Sequence, residues 1–234
     1  MTTEYHKINS LQKRYTEGPE KGKFTGEWCD PVHEYLKDSL WYCREKVDGT
    51  NIRIDFGRNL VQTGQISGVS LWGLNEDEPA KITISGRTDN AQIPGPLLSR
   101  LEALFPLEKL TDYFGVPEDV TFKDVTLYGE GFGAGIQKGA DYGPVDFILF
   151  DVKIGDFWLD EDNITGIAES LGIRRVPYMT ASLAEAIRIV AGHILESTLK
   201  EGEAEGYVCV PKVPLFNKWG ERVIVKVKGV DFPG

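Results

Sequence analysis

The residue with the clearest chemical potential is a lysine that stands directly before a predicted turn. Lys46 ends a run of mostly apolar and aromatic residues, and Asp48 and Gly49 follow it at once in the segment EKVDGTN. A lysine near its reference pKa of ~10.4 is a poor nucleophile, and it becomes a useful one where neighbouring cations or desolvation favour the neutral amine. The pattern predicts a nucleophilic amine at the mouth of a pocket. A snorkelling surface lysine on a hairpin explains so short a pattern equally well.

The residues after this turn predict a strand with one polar face. Period-two alternation places Asn51, Arg53 and Asp55 on one face of NIRIDF and apolar side chains on the other. The polar face is therefore a candidate ligand-binding surface.

A second group of cations lies near the end of the chain. Lys226 and Lys228 share one face of the predicted strand RVIVKVK, whose other face is apolar. Lysines on an exposed edge strand that protect against aggregation are one explanation. The other is that both ammonium groups point into the pocket of Lys46, where they would contact phosphates and lower the pKa of the nucleophile.

Two carboxylates stand out in predicted strands that hold few other acids. Glu130 lies between two glycines in LYGEGFG, and glycines allow a ligand to approach the backbone closely. Glu205 opens the strand EGYVCVPK. Either carboxylate could bind ribose hydroxyls or hold Mg²⁺ together with substrate phosphates, although each alone is also typical of a solvated strand end.

An arginine and two phenylalanines complete the candidates. Arg87 follows a strand and a glycine in ISGRTD, where its guanidinium could bind a phosphate or a polynucleotide terminus. Phe147 and Phe150 lie in PVDFILFDV, and either could stack on a purine, although aromatic residues in such a run usually belong to the core.

The elements that must position these residues are mostly strands. Residues 1–40 predict an irregular lead-in with one short helix, and two amphipathic helices are predicted between 160 and 200, the second opening with a capping box from Ser182 to Glu185. The helix PLLSRLEALF has leucines at helical spacing. A single mixed α/β unit rich in antiparallel strands, residues 1–234, is the simplest arrangement. The predicted strands are LWYCREKV, NIRIDF, LVQTG, KITISGRTD, DVTLYGEGFG, PVDFILFDV, EGYVCVP and RVIVKVK.

Composition limits the class of protein. The 234 residues are 41% hydrophobic and 26% charged, which is typical of a globular protein. No apolar run is long enough to span a bilayer and the polar start lacks a signal-peptide layout, so we expect an intracellular, cytoplasmic protein with no membrane partner. Cys29, Cys43 and Cys209 form no CxxC pair, which argues against a disulfide framework or zinc ribbon. A formal charge of −10 means that any nucleic-acid surface must be a local basic patch.

Taken in order, these segments resemble the signature motifs of covalent nucleotidyltransferases, the superfamily of polynucleotide ligases and mRNA capping enzymes. The likeness is greatest to the bacteriophage RNA ligase 2 family, and it covers almost the whole chain. The motifs that carry it are EKVDGTN, SGRT, LYGEGFG, DFILFDV, EGYVCVPK and VIVKVKG, and the opening YHKINSL is also similar.

The resemblance implies a role for each candidate. Lys46 would be the adenylated lysine, Glu205 the metal-linked acid, and Lys226 and Lys228 the phosphate-binding pair, and these four would be the catalytic residues. Phe150, favoured over Phe147, would stack on the base. The nucleotide-binding residues would be Glu45, Lys46, Asn51, Arg53, Arg87, Glu130, Phe150, Glu205, Lys226 and Lys228, and the metal ligands Glu205 and Glu130.

The resemblance also implies a fold and a reaction. The fold would be α/β (α+β), a single ATP-grasp-like nucleotidyltransferase domain of antiparallel sheets with flanking helices. ATP and Mg²⁺ (or Mn²⁺) would give lysyl-AMP, and the enzyme would seal 5′-phosphate to 3′-hydroxyl ends of nucleic acid, RNA being favoured. The location would be the cytoplasm, for instance that of a phage-infected host.

The likeness departs from the family at the C-terminus. The chain stops six residues after Lys228, so we expect no C-terminal OB or helical domain, and strand binding would fall to a partner protein or to the first forty residues. A capping-type guanylyltransferase is one alternative, against which Asn51 counts. A non-catalytic nucleotide- or nucleic-acid-binding module with the same fold is the other, against which the complete set of site residues counts.

Overall fold

The computed structural model describes residues 4–67, 69–115, 123–137 and 141–232, with backbone alone at residues 66, 69 and 71. These residues divide into two compact units. The first unit comprises Met1–Tyr5 and Gly49–Arg175, and the second comprises His6–Asp48 and Val176–Gly234. Both units are therefore built from segments that are distant in sequence.

The described residues form fifteen strands, five α-helices and one 3₁₀ helix. The helices are α1 Pro31–Tyr35, α2 Gly95–Leu104, α3 Leu107–Phe114, α4 Glu161–Ser170 and α5 Leu183–Ala191, with the 3₁₀ helix at Gly229–Asp231. The strands are β1 Asn9–Ser10, β2 Gln12–Arg14, β3 Phe24–Trp28, β4 Leu40–Glu45, β5 Thr50–Arg58, β6 Leu60–Ile66, β7 Val69–Leu74, β8 Ala80–Gly86, β9 Val125–Phe132, β10 Asp146–Ile154, β11 Phe157–Trp158, β12 Arg174–Arg175, β13 Tyr178–Ser182, β14 Gly206–Pro211 and β15 Val225–Lys228.

The first unit is built on a sheet with the strand order β11-β10-β9-β5-β8. The neighbours pair antiparallel, and β12 adds a short parallel pairing to β10. Ile52, Ile54 and Phe56 alternate along β5 and are buried, as the period of a strand predicts. They belong to a core that also contains Leu97 and Leu101 of α2. A hairpin of β6 and β7 forms a separate two-stranded sheet.

The second unit is built on a sheet with the order β1-β15-β14-β4-β13. Only the pairing of β1 with β15 is parallel. Helix α5 packs against this sheet, and Ser182 caps it by accepting a hydrogen bond from the backbone N–H of Glu185, as the capping box predicts. The core of this unit includes Trp41, Val225 and Val227. A mixed α/β fold with antiparallel sheets is thus confirmed.

The consecutive strands β4 and β5 do not form a hairpin. Strand β4 pairs with β13 and β14, whereas β5 pairs with β8 and β9. The hairpin interpretation of the turn after Lys46 is therefore wrong. The structure has irregular backbone at residues 46–48 and a bend at Gly49 where the sequence predicted a turn, and the choice of strand partners depends on packing between distant segments.

The prediction of an irregular lead-in over residues 1–40 also needs correction. It contains the one short helix expected, α1, whose N-cap Asp30 accepts a hydrogen bond from the N–H of Val32. It contains the three strands β1, β2 and β3 as well, and residues 1–3 lie outside the described part. Strand β1 is two residues long and exists because it pairs with β15 at the other end of the chain, which no local pattern reveals.

Among the described residues, no helix is both long enough and apolar enough to cross a bilayer. Cys29, Cys43 and Cys209 are all free thiols. The assignment of residues 1–234 to one functional domain stays a prediction.

Candidate functional site

Three adjacent strands of the second unit bring Lys46, Glu205 and Lys228 together. Lys46 follows β4 directly, and its backbone N–H donates to the carbonyl of Gly206 at 2.9 Å. Glu205 immediately precedes β14, and Gly206 pairs with Lys228 on β15. The Lys46 Nζ lies 2.6 Å from Glu205 Oε2, and the Lys228 Nζ lies 2.9 Å from Glu205 Oε1. One carboxylate therefore bridges two ammonium groups.

Lys226 adds a third cation to this group. It lies two residues before Lys228 and is partly buried on β15. Burial lowers the pKa of Lys226, and the positive charges of Lys228 and Lys46 lower that pKa further. We call Lys46, Glu205, Lys226 and Lys228 the lysine cluster. With three cations and one carboxylate it is an electropositive centre suited to binding phosphate.

The alternative explanation for Lys226 and Lys228, an exposed edge strand, is wrong. Strand β15 pairs with β14 on one side and β1 on the other, so it is an internal strand. The alternation predicted from the sequence does hold, since Val225 and Val227 are fully buried on the opposite face.

Glu45 supports the site by anchoring a loop. Its buried carboxylate accepts hydrogen bonds from the Ser197 hydroxyl at 2.5 Å and from the Thr198 N–H and hydroxyl at 3.1 and 2.9 Å. The loop that carries these residues leads into Glu205. Ser197 and Thr198 thus occupy both oxygens of the Glu45 carboxylate, and a contact between Glu45 and nucleotide stays a prediction.

In the first unit, Arg53 is the centre of a buried ion-pair network. Its side chain is only 1% exposed, with Nε donating to Asp55 at 2.7 Å and Nη2 to Asp89 at 2.5 Å. Its Nη1 and the Asn51 Oδ1 are buried without a hydrogen-bond partner. The polar face of β5 is thus largely occupied by internal ion pairs. Asp89 was missed from the sequence because only the packing of distant segments brings it to Arg53.

Glu130 lies in the middle of β9, with Asn51 opposite it on β5 and Ile148 on β10. The prediction that its flanking glycines allow a ligand to approach is wrong. A Cβ on Gly129 would lie 2.2 Å from the ring of Phe147, and one on Gly131 would lie 2.4 Å from Leu97. The glycines make room for the core of the protein itself.

The two candidate phenylalanines have different environments. Phe147 is 1% exposed and packs against the ring of Phe105 with the ring centroids 5.3 Å apart. Phe150 is half-buried at a β-bulge of β10, between Leu149 and Asp151, and a bulge redirects the side chain it carries. Burial therefore removes Phe147 as a stacking ring, while stacking by Phe150 stays a prediction.

Arg87 follows β8 and its side chain is exposed.

Elsewhere in the first unit, a groove of about 670 Å³ lies at the ends of β5, β9 and β10. Arg58, Lys81 and Lys123 are among its lining residues, and of the residues predicted on the polar face of β5 only Asp55 lines it.

A divalent cation fits the lysine cluster only together with an anionic ligand. In the described ranges, no group of three or more His, Cys, Asp or Glu side chains could hold a metal ion. Both carboxylate oxygens of Glu205 bind lysines. Mg²⁺ is commonly bound by one or two carboxylates with substrate phosphates and water. Glu205 matches that pattern once phosphates are present, and the metal roles of Glu205 and Glu130 stay predictions.

Comparison with known proteins identifies one family. The family model described as RNA ligase matches residues 39–228. Solved structures of the RNA ligase of Naegleria gruberi are similar in fold. An apo mutant is 18% identical, with 85% of this chain and 51% of that chain covered at a TM-score of 0.57. A mutant with ATP and Mn is 14% identical, with 98% and 60% covered at a TM-score of 0.59. The form with PPi is 17% identical, with 86% and 52% covered at a TM-score of 0.56.

This chain spans 51% to 60% of the length of those Naegleria proteins. The finer resemblance to bacteriophage RNA ligase 2 stays a prediction. The family match includes every residue of the lysine cluster, and it confirms the coarser expectation: this chain belongs to the RNA ligase family.

Proposed function

We propose that this chain catalyses the nucleotidyl-transfer chemistry of an ATP-dependent RNA ligase, with Lys46 as the residue that is adenylated. The observation that carries the proposal is the lysine cluster, in which Glu205 bridges Lys46 and Lys228 with Lys226 beside them. Membership of the RNA ligase family supports it, as do Naegleria relatives solved with ATP and Mn, with AMP and Mn, and with PPi.

In the first step, the neutral amine of Lys46 attacks the α-phosphorus of ATP. The new bond joins Nζ to phosphorus, the α–β phosphoanhydride bond breaks, and pyrophosphate leaves. Glu205 Oε2 accepts a hydrogen bond from Lys46 Nζ at 2.6 Å, so it is the nearest acceptor for the proton that the amine must lose. Lys226 and Lys228 stabilise the negative charge on the phosphates. Mg²⁺ or Mn²⁺, held by Glu205 and phosphate oxygens, would supply further neutralisation of the phosphates.

The later steps move the adenylate to RNA. A 5′-phosphate oxygen displaces Lys46 from AMP, and a 3′-hydroxyl then displaces AMP to give the phosphodiester. Phe150 and Glu130 are proposed to contact the base and ribose, and Arg87 the phosphates.

We propose the cytoplasm as the location, because ATP is available there and free cysteines persist in a reducing compartment.

Transfer of label from [α-³²P]ATP tests the nucleophile. Wild-type protein incubated with Mg²⁺ should retain label on a denaturing gel, and Lys46→Ala and Lys46→Arg should not. Lys21→Ala removes an exposed lysine from the second unit and should label as the wild type does. Retained label on Lys46→Ala would refute the assignment. Labelled GTP in parallel separates this activity from that of a capping enzyme.

A further inference from the structure

Residues 212–223, which we call the aromatic hairpin, form an ordered turn between β14 and β15. Phe216 and Arg222 make an antiparallel bridge, and the N–H of Val223 donates to the carbonyl of Leu215 at 2.9 Å. At the tip, the Asn217 Oδ1 accepts hydrogen bonds from the N–H groups of Trp219 and Glu221, both at 2.9 Å. The hairpin therefore holds a defined shape.

This ordered segment exposes aromatic rings instead of burying them. Trp219 is 74% exposed at the tip and Phe216 is 52% exposed beside the bridge. Leu215 is packed against the core of the second unit, so the hairpin has a buried anchor and a solvent-facing aromatic side. Large aromatic side chains presented together on a fixed backbone indicate a binding surface.

The charge around these rings is positive although the whole chain is acidic. Residues 212–223 contain Lys212, Lys218 and Arg222 against the single acid Glu221, in a chain with a formal charge of −10. The Lys218 Nζ lies 4.5 Å from the centroid of the Trp219 ring. The acid is itself occupied, because Glu221 accepts a hydrogen bond from the Asn217 side chain at 2.8 Å. The hairpin is thus a local basic patch, outside the lysine cluster, of the kind that an acidic nucleic-acid enzyme requires.

Exposed aromatic rings interleaved with cations are the combination that binds single-stranded nucleic acid. Bases stack on the rings, and the cations follow the phosphate backbone. The hairpin joins the Pro211 end of β14 to the Val225 end of β15, whereas Glu205 and Lys228 lie at the other end of this strand pair. A strand whose bases lie on Trp219 and Phe216 would thus be held by the same unit that contains the reacting amine.

We propose that the aromatic hairpin is a platform on which unpaired bases of the RNA substrate stack at a distance from the end to be joined, because the hairpin closes the end of the β14–β15 pair opposite Glu205 and Lys228. This inference rests on the proposed ligase function for its biological meaning. It assigns strand binding to a segment of this chain, where the sequence alone suggested a partner protein or the first forty residues.

The experiment measures binding of a 5′-phosphorylated, fluorescently labelled single-stranded RNA by anisotropy, together with lysyl-AMP formation. We expect Trp219→Ala to weaken RNA binding roughly 10-fold, Trp219→Phe to retain most of the affinity, and Trp219→Ala/Phe216→Ala to weaken it further. All three should form lysyl-AMP at the wild-type rate, since neither ring belongs to the lysine cluster.

Tyr35→Ala is the matched control, because Tyr35 is an 87% exposed aromatic in the same unit and outside the hairpin. It should bind RNA as the wild type does. Wild-type affinity in the double variant would overturn the proposal and leave the hairpin as a surface for a protein partner. Equal weakening by Tyr35→Ala, or no RNA binding by the wild type, would overturn it too. If the ligase proposal fails, the wild-type protein will form no lysyl-AMP. The binding measurement does not depend on lysyl-AMP, so the two failures are distinguishable.

Discussion

At the scale of single residues, repulsion between the lysines of the lysine cluster opposes folding, whereas their positive charge favours the binding of phosphate. Glu205 pairs with Lys46 and Lys228, and the pKa of Lys226 is lowered by burial and by the charges of these two lysines. Such like-charge arrangements are retained at functional sites because a ligand of opposite charge completes them. The nucleotide phosphates are that ligand in the proposed reaction.

Replacing Lys226 with methionine should therefore stabilise the free protein and impair the enzyme. The pKa of Lys226 is lowered in the folded state, so unfolded protein binds the proton more readily, and wild-type stability rises with pH between the lowered pKa and the ordinary value of 10.5. The Lys226→Met variant has no titrating group at this position, so its stability does not rise with pH in this range. At pH 7 we expect the variant to be more stable than the wild type, and the advantage should shrink as the pH rises towards 10.5.

Urea unfolding at several pH values measures the stability difference, and the labelling assay measures adenylation, which we expect to fall about 100-fold in Lys226→Met. Lys21→Met, at an exposed position, should change neither quantity. A Lys226→Met protein that is less stable at pH 7 would contradict the assigned charge repulsion.

At the scale of elements, the shape of β9 and β10 is set by side chains that pack over glycines. Phe147 of β10 lies over Gly129 of β9, and the bulge after Leu149 separates this buried ring from the half-buried Phe150. Glu130 lies directly after Gly129. Gly129 thus lets β10 pack closely against β9, the strand that carries Glu130, a predicted nucleotide contact.

Gly129→Ala should destabilise the protein by roughly 1–3 kcal/mol, because its Cβ would meet both the Phe147 ring and the backbone oxygen of Ile148, and backbone cannot yield as a flexible side chain can. Gly166→Ala is the matched control. Gly166 lies inside α4 with nothing within 4 Å of an added Cβ, so alanine there should stabilise by about 0.5–1 kcal/mol. Urea midpoints measure both changes, and equal midpoints for the two variants would disprove this account of Gly129.

At the scale of the whole molecule, the formal charge of −10 opposes association with RNA except where cations are concentrated. The aromatic hairpin supplies Lys212, Lys218 and Arg222. We expect the affinity for RNA to come from these few ionic contacts and from stacking on Trp219 and Phe216. Stacking is insensitive to salt.

We therefore expect a shallow salt dependence of RNA binding. Each phosphate neutralised on a single strand contributes a slope of about −0.7 to log K against log salt, so three cations predict about −2. Anisotropy titrations across a range of KCl concentrations measure this slope. Removing one cation with Lys218→Ala should make it shallower by about 0.7, and an unchanged slope would show that Lys218 contacts no phosphate.

The sequence by itself determined the identity of the chemical groups and the local structure that carries them. The end of strand β4 just before Lys46, the alternation of Lys226 and Lys228 with buried valines, and the capping box at Ser182 all follow from short-range patterns. The order of these motifs also identified the family, because the chemistry requires the same residue types at the same places along the chain. Physically, turn propensity, strand period and helix capping act over a few residues.

Only the tertiary structure decided which elements meet. That β4 and β5 join different sheets, that β15 is internal, that Glu205 bridges Lys46 and Lys228, and that Arg53 is neutralised by Asp89 are outcomes of pairing and packing between distant segments. Phe147 and Phe150 look alike in sequence, but Phe147 is buried and Phe150 lies at a bulge, because burial and bulges depend on neighbours that are far away along the chain. In the same way, the sequence does not reveal that the glycines beside Glu130 make room for Phe147 and Leu97.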